Sequence, residues 1–316
     1  MTKFQGSLVL QSPVVSSDPG LEVALRDALL RGVANQGVRF IADLGFGFSY
    51  PGGPYGTRPV AAAPGNGALV ADVSEHANGS VVRTNLQNIG YAGGGFDFSA
   101  ITAPGNFLSI PAAVAADIYA AFNGNSQQFM VTAYVKLPLK ANWNAATAMT
   151  PMLAWTDVNA GAASADMLTI GQSSINSRLE AIRQTVGSTL VSMSVPVADS
   201  EYDKLAQITY WRNATGTGLS LRTANGRNTT TGAVGASNAE NFSAKAGRFG
   251  ICNTYSVPTV PASANAVKWR AYRLFIENLA RSGRDPVTVA EADWLRVQAR
   301  ITASAAANGG VSQVFN

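Results

Sequence analysis

The stretch QFMVTAYVKLP, residues 128–138, constrains the fold more than any other. In an extended chain it puts Phe129, Val131, Ala133, Val135 and Leu137 on one side and Met130, Thr132, Tyr134 and Lys136 on the other. A period of two with one apolar side predicts a strand with one buried face. VSMSVPV repeats the pattern with Val191, Met193, Val195 and Val197, and its Pro196 predicts an edge position or a strand end. Further strands are expected at GALVADV, GSVVRTN, GGFDFS, TPMLAWTD, DMLTIGQ, SRLEAIRQT, LAQITYWRN, GLSLRTA, GRFGICN and VKWRAYRLFIENL. From Ala68 to Ala280 such runs alternate with Gly, Asn, Ser and Pro clusters at the spacing of a sandwich or barrel.

The flanks read differently. Asp18 and Pro19 open a helical stripe of Leu21, Ala24, Leu25, Ala28 and Leu29 that Gly32 closes. GVRFIADLGFGFSY is expected as one strand, and residues 51–67 as an extended loop. A short helix is expected at PAAVAADIYAAF. At the other end Thr288 and Glu291 form a T-x-x-E capping box, with Gly309 as the stop. The expected organisation is an N-terminal arm with helix and linker over 1–67, serving as a docking segment, a β-sandwich over 68–285, and a helix and tail over 286–316.

Charged residues make up 13% of the 316, about half the usual share, which leaves a polar surface that resists subunit packing weakly. The net charge of +4 is spread over single arginines without a basic stripe, so nucleic-acid binding is not expected. Cys252 is the only cysteine, which excludes an intramolecular disulfide and any cysteine-based zinc site; it reads as a buried apolar residue. MTKFQGSLVLQSPVV is a poor signal peptide, and no apolar run reaches ~18 residues, so neither secretion nor membrane insertion is expected.

Catalytic groups are sparse. His76, the only histidine, sits in the polar stretch DVSEHANGS and reads as an exposed turn residue. Two-histidine metal sites are thereby excluded, and no G-x-S-x-G elbow supports a nucleophile. Glu201 and Asp203 in SEYDKLAQ share one side of a strand but lack the second Glu of a glycanase motif, and acids at a strand start are usually solvated. Calcium ligation by scattered oxygens such as those of Asp157 and Asn159 stays open, with no dense acidic loop behind it. Aromatic contacts to glycans or subunits are expected from Trp143 in the loop KANWNAA, with Tyr50, Tyr55 and Tyr91 in Gly-rich loops behind it. Trp155, Trp211 and Trp269 read as core, and Trp294 as the residue packing the last helix on the body. The Asn-x-Ser/Thr sequons at Asn78, Asn213, Asn228 and Asn241 read as chance. In WRAYRLFIENLARSGR, arginines and bulky apolar residues fall on both faces, so the run reads as a closing strand, with Arg273 and Glu277 as a structural pair at its end.

The order of GGGFDFSAITAPGNFLSIP, QQFMVTAYVKLP, KLAQITYWRNATGTGLSLRTANG, GRFGICN and AYRLFIENLARSGRDPVTVAEADW resembles the concanavalin A-like lectin/glucanase superfamily in its laminin-G-like form, over Ala68 to Asp293. The closing run is most similar to such proteins encoded by tailed bacteriophages and prophages. The resemblance implies a mainly β, two-sheet antiparallel jelly-roll sandwich used for adhesion to surface glycans or for reinforcing a particle. It carries over neither a catalytic pair nor a calcium site. The expected function is that of a non-enzymatic virion protein, tail or baseplate associated. Its expected partners are other virion proteins, further copies of itself and host surface glycan, with its terminal segments, 1–50 and 304–316, as anchors. A carbohydrate-binding receptor, a capsid decoration protein and a glycan hydrolase are the alternatives.

Overall fold

The computed structural model describes residues 27–30, 37–51, 62–84, 87–120, 127–144, 149–156, 167–173, 177–186, 189–239, 241–254 and 268–316. A 3-10 turn at Ala28–Leu30 precedes β1 (Val38–Asp43), β2 (Leu69–Val70), β3 (Gly79–Arg83), β4 (Gly90–Ala92), β5 (Gly95–Asp97) and β6 (Asn106–Ile110). Helix α1 (Ala112–Ala120) leads to β7 (Phe129–Lys136), α2 (Lys140–Asn144), β8 (Thr150–Trp155), β9 (Leu168–Ser173), β10 (Arg178–Val186) and β11 (Thr189–Pro196). After these come β12 (Leu205–Arg212), β13 (Thr217–Thr223), β14 (Gly226–Gly232), β15 (Gly247–Ile251), β16 (Arg270–Asn278), α3 (Leu279–Ser282) and α4 (Pro286–Ala307).

Among the described residues the strands form two antiparallel sheets of eight. One runs β14-β13-β12-β7-β16-β5-β4 with β1 also on β16; the other runs β11-β10-β9-β8-β15-β6-β3-β2. Between them lies one apolar core, to which β7 gives Phe129, Val131, Ala133 and Val135, β16 gives Leu274 and Ile276, and the second sheet gives Leu108, Leu153, Trp155, Leu168 and Phe249. The mainly β sandwich expected from the alternation is the observed architecture, and Pro196 ends edge strand β11 as expected.

The single buried face expected of β7 is a shortfall, because its other face is buried too. Met130 packs with Phe275, Val289 and Ala290, while Tyr134 packs with Tyr272, Trp294, Val297 and Phe315. Helix α4 is the cover. Its buried residues, Pro286, Val289, Ala290, Asp293, Trp294 and Val297, recur at helical spacing and form one stripe. Trp294 stacks on Tyr134 at 6.3 Å, as its expected packing role requires.

The helix starts earlier than its expected box. Asp285 is the cap, accepting from Thr288 N and Oγ1 at 2.7 Å each, with Pro286 in the first turn, so Thr288 is a donor inside the helix. The helix ends at Ala307 with Asn308 as its cap, and the expected stop Gly309 follows in the left-handed conformation at φ +66°.

The boundary expected at 51–67 does not set an arm apart. β1 is hydrogen-bonded along β16, from Val38 opposite Glu277 to Asp43 opposite Arg273. The expected strand over GVRFIADLGFGFSY is only its first half, since the chain turns after Asp43. Nor is the last stretch a free anchor: Phe315 is buried against Tyr134 and Tyr272, and Asn316 N donates to Gly93 O at 3.2 Å. Gly93 sits at φ +59°, and a Cβ there would come within 2.0 Å of Asn316 O, so this close approach needs glycine. The helix expected before Gly32 lies, apart from residues 27–30, outside the described residues.

Candidate functional site

β16 changes partner along its length. Arg270 and Ala271 face β5, and from Arg273 onward the same edge faces β1, with a break in register against β7 between Ala271 and Arg273. Such a break re-aims a side chain. Arg273 points away from the inter-sheet core, under α4, where it is 2% exposed. Its Nη1 donates to Asp43 Oδ2 at 2.8 Å, its Nη2 to Asp27 Oδ2 at 2.7 Å and to Asp293 Oδ1 at 3.1 Å. Arg300 on α4 pairs with Asp43 from the outside, and Arg296 stands 3.8 Å from Asp293. A cavity of about 320 Å³ lies beside this network, lined by Asp27, Asp43, Arg273, Asp293, Arg296 and Arg300. Three positive and three negative side chains make its wall neutral overall.

The carboxyls are not equivalent. Burial pushes Asp43 up, but Arg300 and Arg273 outweigh this and hold it below the usual carboxylate range. Asp27 follows the same pattern, with Arg273 and the Leu29 N–H as the opposing groups. At Asp293 burial wins and its carboxyl is raised despite Arg273. Arg273 loses ground to burial, and the three carboxylates more than restore its charge. Tyr134, next to Asp293, accepts from Gln207 Nε2 at 2.7 Å; burial raises its hydroxyl strongly. The network thus ties α4 and the 28–30 turn to the sheet, and the groups it presents to the cavity are engaged except Arg296, whose Nη1 has no hydrogen-bond partner among the described residues.

The expected pairing of Arg273 with Glu277 does not occur. Four residues of strand separate their Cα atoms by ~13 Å. Glu277, fully buried, takes both oxygens to Arg284, with Nε at 2.7 Å from Oε1, across the turn made by α3 and Gly283. It is a strand-end ion pair with a different partner.

The expected exposed platform at Trp143 is likewise corrected. KANWNAA begins with α2, whose Trp143 is 0% exposed and packs edge-on against Tyr202 at 5.8 Å. A ring with both faces covered cannot stack on a sugar. Tyr50 is buried, with its hydroxyl donating to Ala62 O at 2.5 Å. Tyr91, half-buried and 5.4 Å from the Tyr50 ring, donates to Leu44 O at 2.8 Å, and burial pushes its hydroxyl to about 12. Tyr55 lies outside the described residues, as do Asp157 and Asn159.

Glu201 and Asp203 do not converge. Glu201, expected in solvent, is 4% exposed and accepts from Ala198 N at 2.7 Å, closing a 3-10 turn, whereas Asp203 pairs with Lys136 at 3.3 Å. His76 is exposed, 2.9 Å from an Arg39 nitrogen. Cys252 is buried beside Phe107 and Ala154. Among the described residues no cluster of three or more metal-ligating side chains occurs, and no helix is long and apolar enough to cross a membrane.

Sequence reasoning missed the Arg273 network because Asp27, Asp43 and Asp293 are far apart in the chain. One signal was available: Asp293 falls on the apolar stripe of its helix, four residues after Val289, and a carboxylate there needs a buried partner.

No family model and no curated protein matches the chain. Among solved structures it is similar to the binding domain of Paraclostridial Mosquitocidal Protein 1, with 10% identity and a TM-score of 0.40 over 77% of this chain and 49% of that one. It is also similar to the CBM2 module of the Lactobacillus casei BL23 phage J-1 evolved Dit, with 13% identity, a TM-score of 0.37, and 60% and 78% of the two chains covered. For the Ruminococcus gnavus IT-sialidase CBM40 bound to alpha2,3 sialyllactose the values are 11%, 0.34, 47% and 74%. The chain thus spans about half of the mosquitocidal binding domain's length.

Proposed function

We propose that the chain is a non-enzymatic structural protein of a bacteriophage virion, tail or baseplate associated, whose β-sandwich serves assembly or host-surface contact. The observation that carries this reading is edge strand β11. Among the described residues no strand pairs with its outer edge; side chains of β14 reach only its second half, where Thr230 Oγ1 donates to Ser194 O at 2.8 Å and Asn228 Nδ2 to Pro196 O at 3.5 Å, and at its first half Val186, Leu190 and Val191 are 55%, 42% and 48% exposed. Monomeric proteins blunt such edges with charge or proline; here only Pro196, at the strand's end, does so. A sparsely charged chain with an open apolar edge suits packing against a second copy of itself in a particle. The address in a phage particle comes from the resemblance of the closing run.

The test is light scattering after size exclusion at rising concentration. The parent is expected to self-associate, and Leu190→Lys with Val191→Lys to stay monomeric with unchanged circular dichroism. A parent that is monomeric at every concentration and binds a glycan array would favour the carbohydrate-receptor alternative and remove the assembly reading.

A further inference from the structure

At one end of the sandwich two arginines enter the space between the sheets. Arg183 on β10 shares the inward parity of Leu179 and Ala181, and Arg212 on β12 that of Ala206, Ile208 and Tyr210, all of them core residues. They are 4% and 3% exposed. Among the described residues neither forms an ion pair with a carboxylate. Arg212 is satisfied by carbonyls: Nε donates to Val234 O at 3.2 Å, Nη2 to Gly235 O at 3.0 Å and Nη1 to Gln127 O. Arg183 lies near enough to Tyr210 to act on its hydroxyl, and its Nε and Nη1 are buried with no hydrogen-bond partner among the described residues. Burial, with the neighbouring Arg183 charge, lowers Arg212 to about 10.

A strap over residues 233–239 crosses this end. Thr217 Oγ1 donates to Ala233 O at 3.1 Å from one sheet, and Ala239 N donates to Thr185 O of the other at 2.6 Å. Its cover is thin above Arg183: Ala233, Gly235 and Ala236 are exposed and small. A Cβ at Gly235 would meet only Arg183 Nη2 at 3.6 Å and Ala233 O at 3.9 Å within 4 Å among the described residues.

Two buried like charges repel in a poorly polarisable interior, and a buried guanidinium with unmade donors is costly. An anion relieves both, and guanidinium donors match the oxygens of a carboxylate or phosphate. We propose that Arg183, backed by the charge of Arg212 and lying beneath Gly235, binds an oxyanion group. The group is either a free inorganic oxyanion or the carboxylate of an acidic ligand. This inference is independent of the proposed virion role.

Isothermal titration calorimetry on the full chain tests it, with sulfate, phosphate, acetate and glucuronate titrated separately at constant ionic strength in sodium chloride. Saturable binding of at least one is expected at one per chain. Arg183→Gln should weaken it at least tenfold, and Arg248→Gln, on the opposite face of its sheet, should leave it unchanged. Binding of sulfate or phosphate alone would identify the free ion; binding of acetate or glucuronate would identify a carboxylate ligand. Should the glutamine variant not fold, Arg183→Lys, which keeps the charge but loses the Nε donor, is expected to bind at least fivefold more weakly. No saturable binding of any of the four, or parent-like affinity in the Arg183 variants, would overturn the proposal.

Discussion

Arg273 stands directly opposite Asp43 across the β16–β1 pairing, with its Nη1 2.8 Å from the carboxylate. Both side chains are 2% exposed, and Asp27 and Asp293 complete the shell. Removing the arginine leaves the buried carboxylates of Asp43 and Asp293 and the partly buried one of Asp27 without their common partner. Arg273→Met is therefore expected to cost ~3–5 kcal/mol in urea unfolding. Arg300→Met removes a partner more than a third exposed and should cost about 1 kcal/mol or less. Equal losses would contradict the central position given to Arg273.

The same network sets a pH dependence. Asp27 and Asp43 have lowered carboxyls, so their stabilisation is present above the unfolded value of ~3.9 and disappears as pH falls through their folded values. Asp293 is raised, so its contribution has the opposite sign: it favours the fold below ~3.9 and is lost as pH rises through its folded value. Asp43→Asn should accordingly destabilise at pH 7 and progressively less as pH is lowered below ~3.9. Asp293→Asn should cost less than Asp43→Asn at pH 7, as read from melting temperatures.

Trp143 supplies a test of burial against surface display. Trp143→Ala should lose ~3–5 kcal/mol, the usual cost of emptying a core site. Loss of glycan binding with unchanged stability would show that the ring is exposed after all.

Phe315 plugs the space between Tyr134, Tyr272 and the guanidinium of Arg300, which lies 5.1 Å over its ring. Phe315→Ala should cost about 3 kcal/mol and expose residues 312–316 to protease in a time course. Unchanged proteolysis would mean that the segment is held by Arg270 and Gly93 instead.

The strands were legible because period-two alternation is a local property. β7 and β11 could be read directly as strands, although Val191, on the expected apolar face of β11, is exposed, and so could the core roles of Trp155 and Trp269. What covers the second face of β7 was not legible, because α4 reaches it from 150 residues further on, and Met130, Thr132 and Tyr134 look the same in sequence whether solvent or a helix lies above them. The Arg273 site failed for the same reason: adjacency in the chain offered Glu277, while the fold brought Asp43 across the sheet and gave Glu277 to Arg284. Trp143 misled because KANWNAA has loop composition, and only the contact with Tyr202 makes it core.

The most direct measurement is whether this chain is present in a phage particle. Quantitative mass spectrometry of density-purified virions from a host producing the protein, with labelled antibody located by electron microscopy, measures this. The proposed function predicts a fixed copy number and label at the tail or baseplate. Absence from purified particles that are fully assembled and infectious would contradict it.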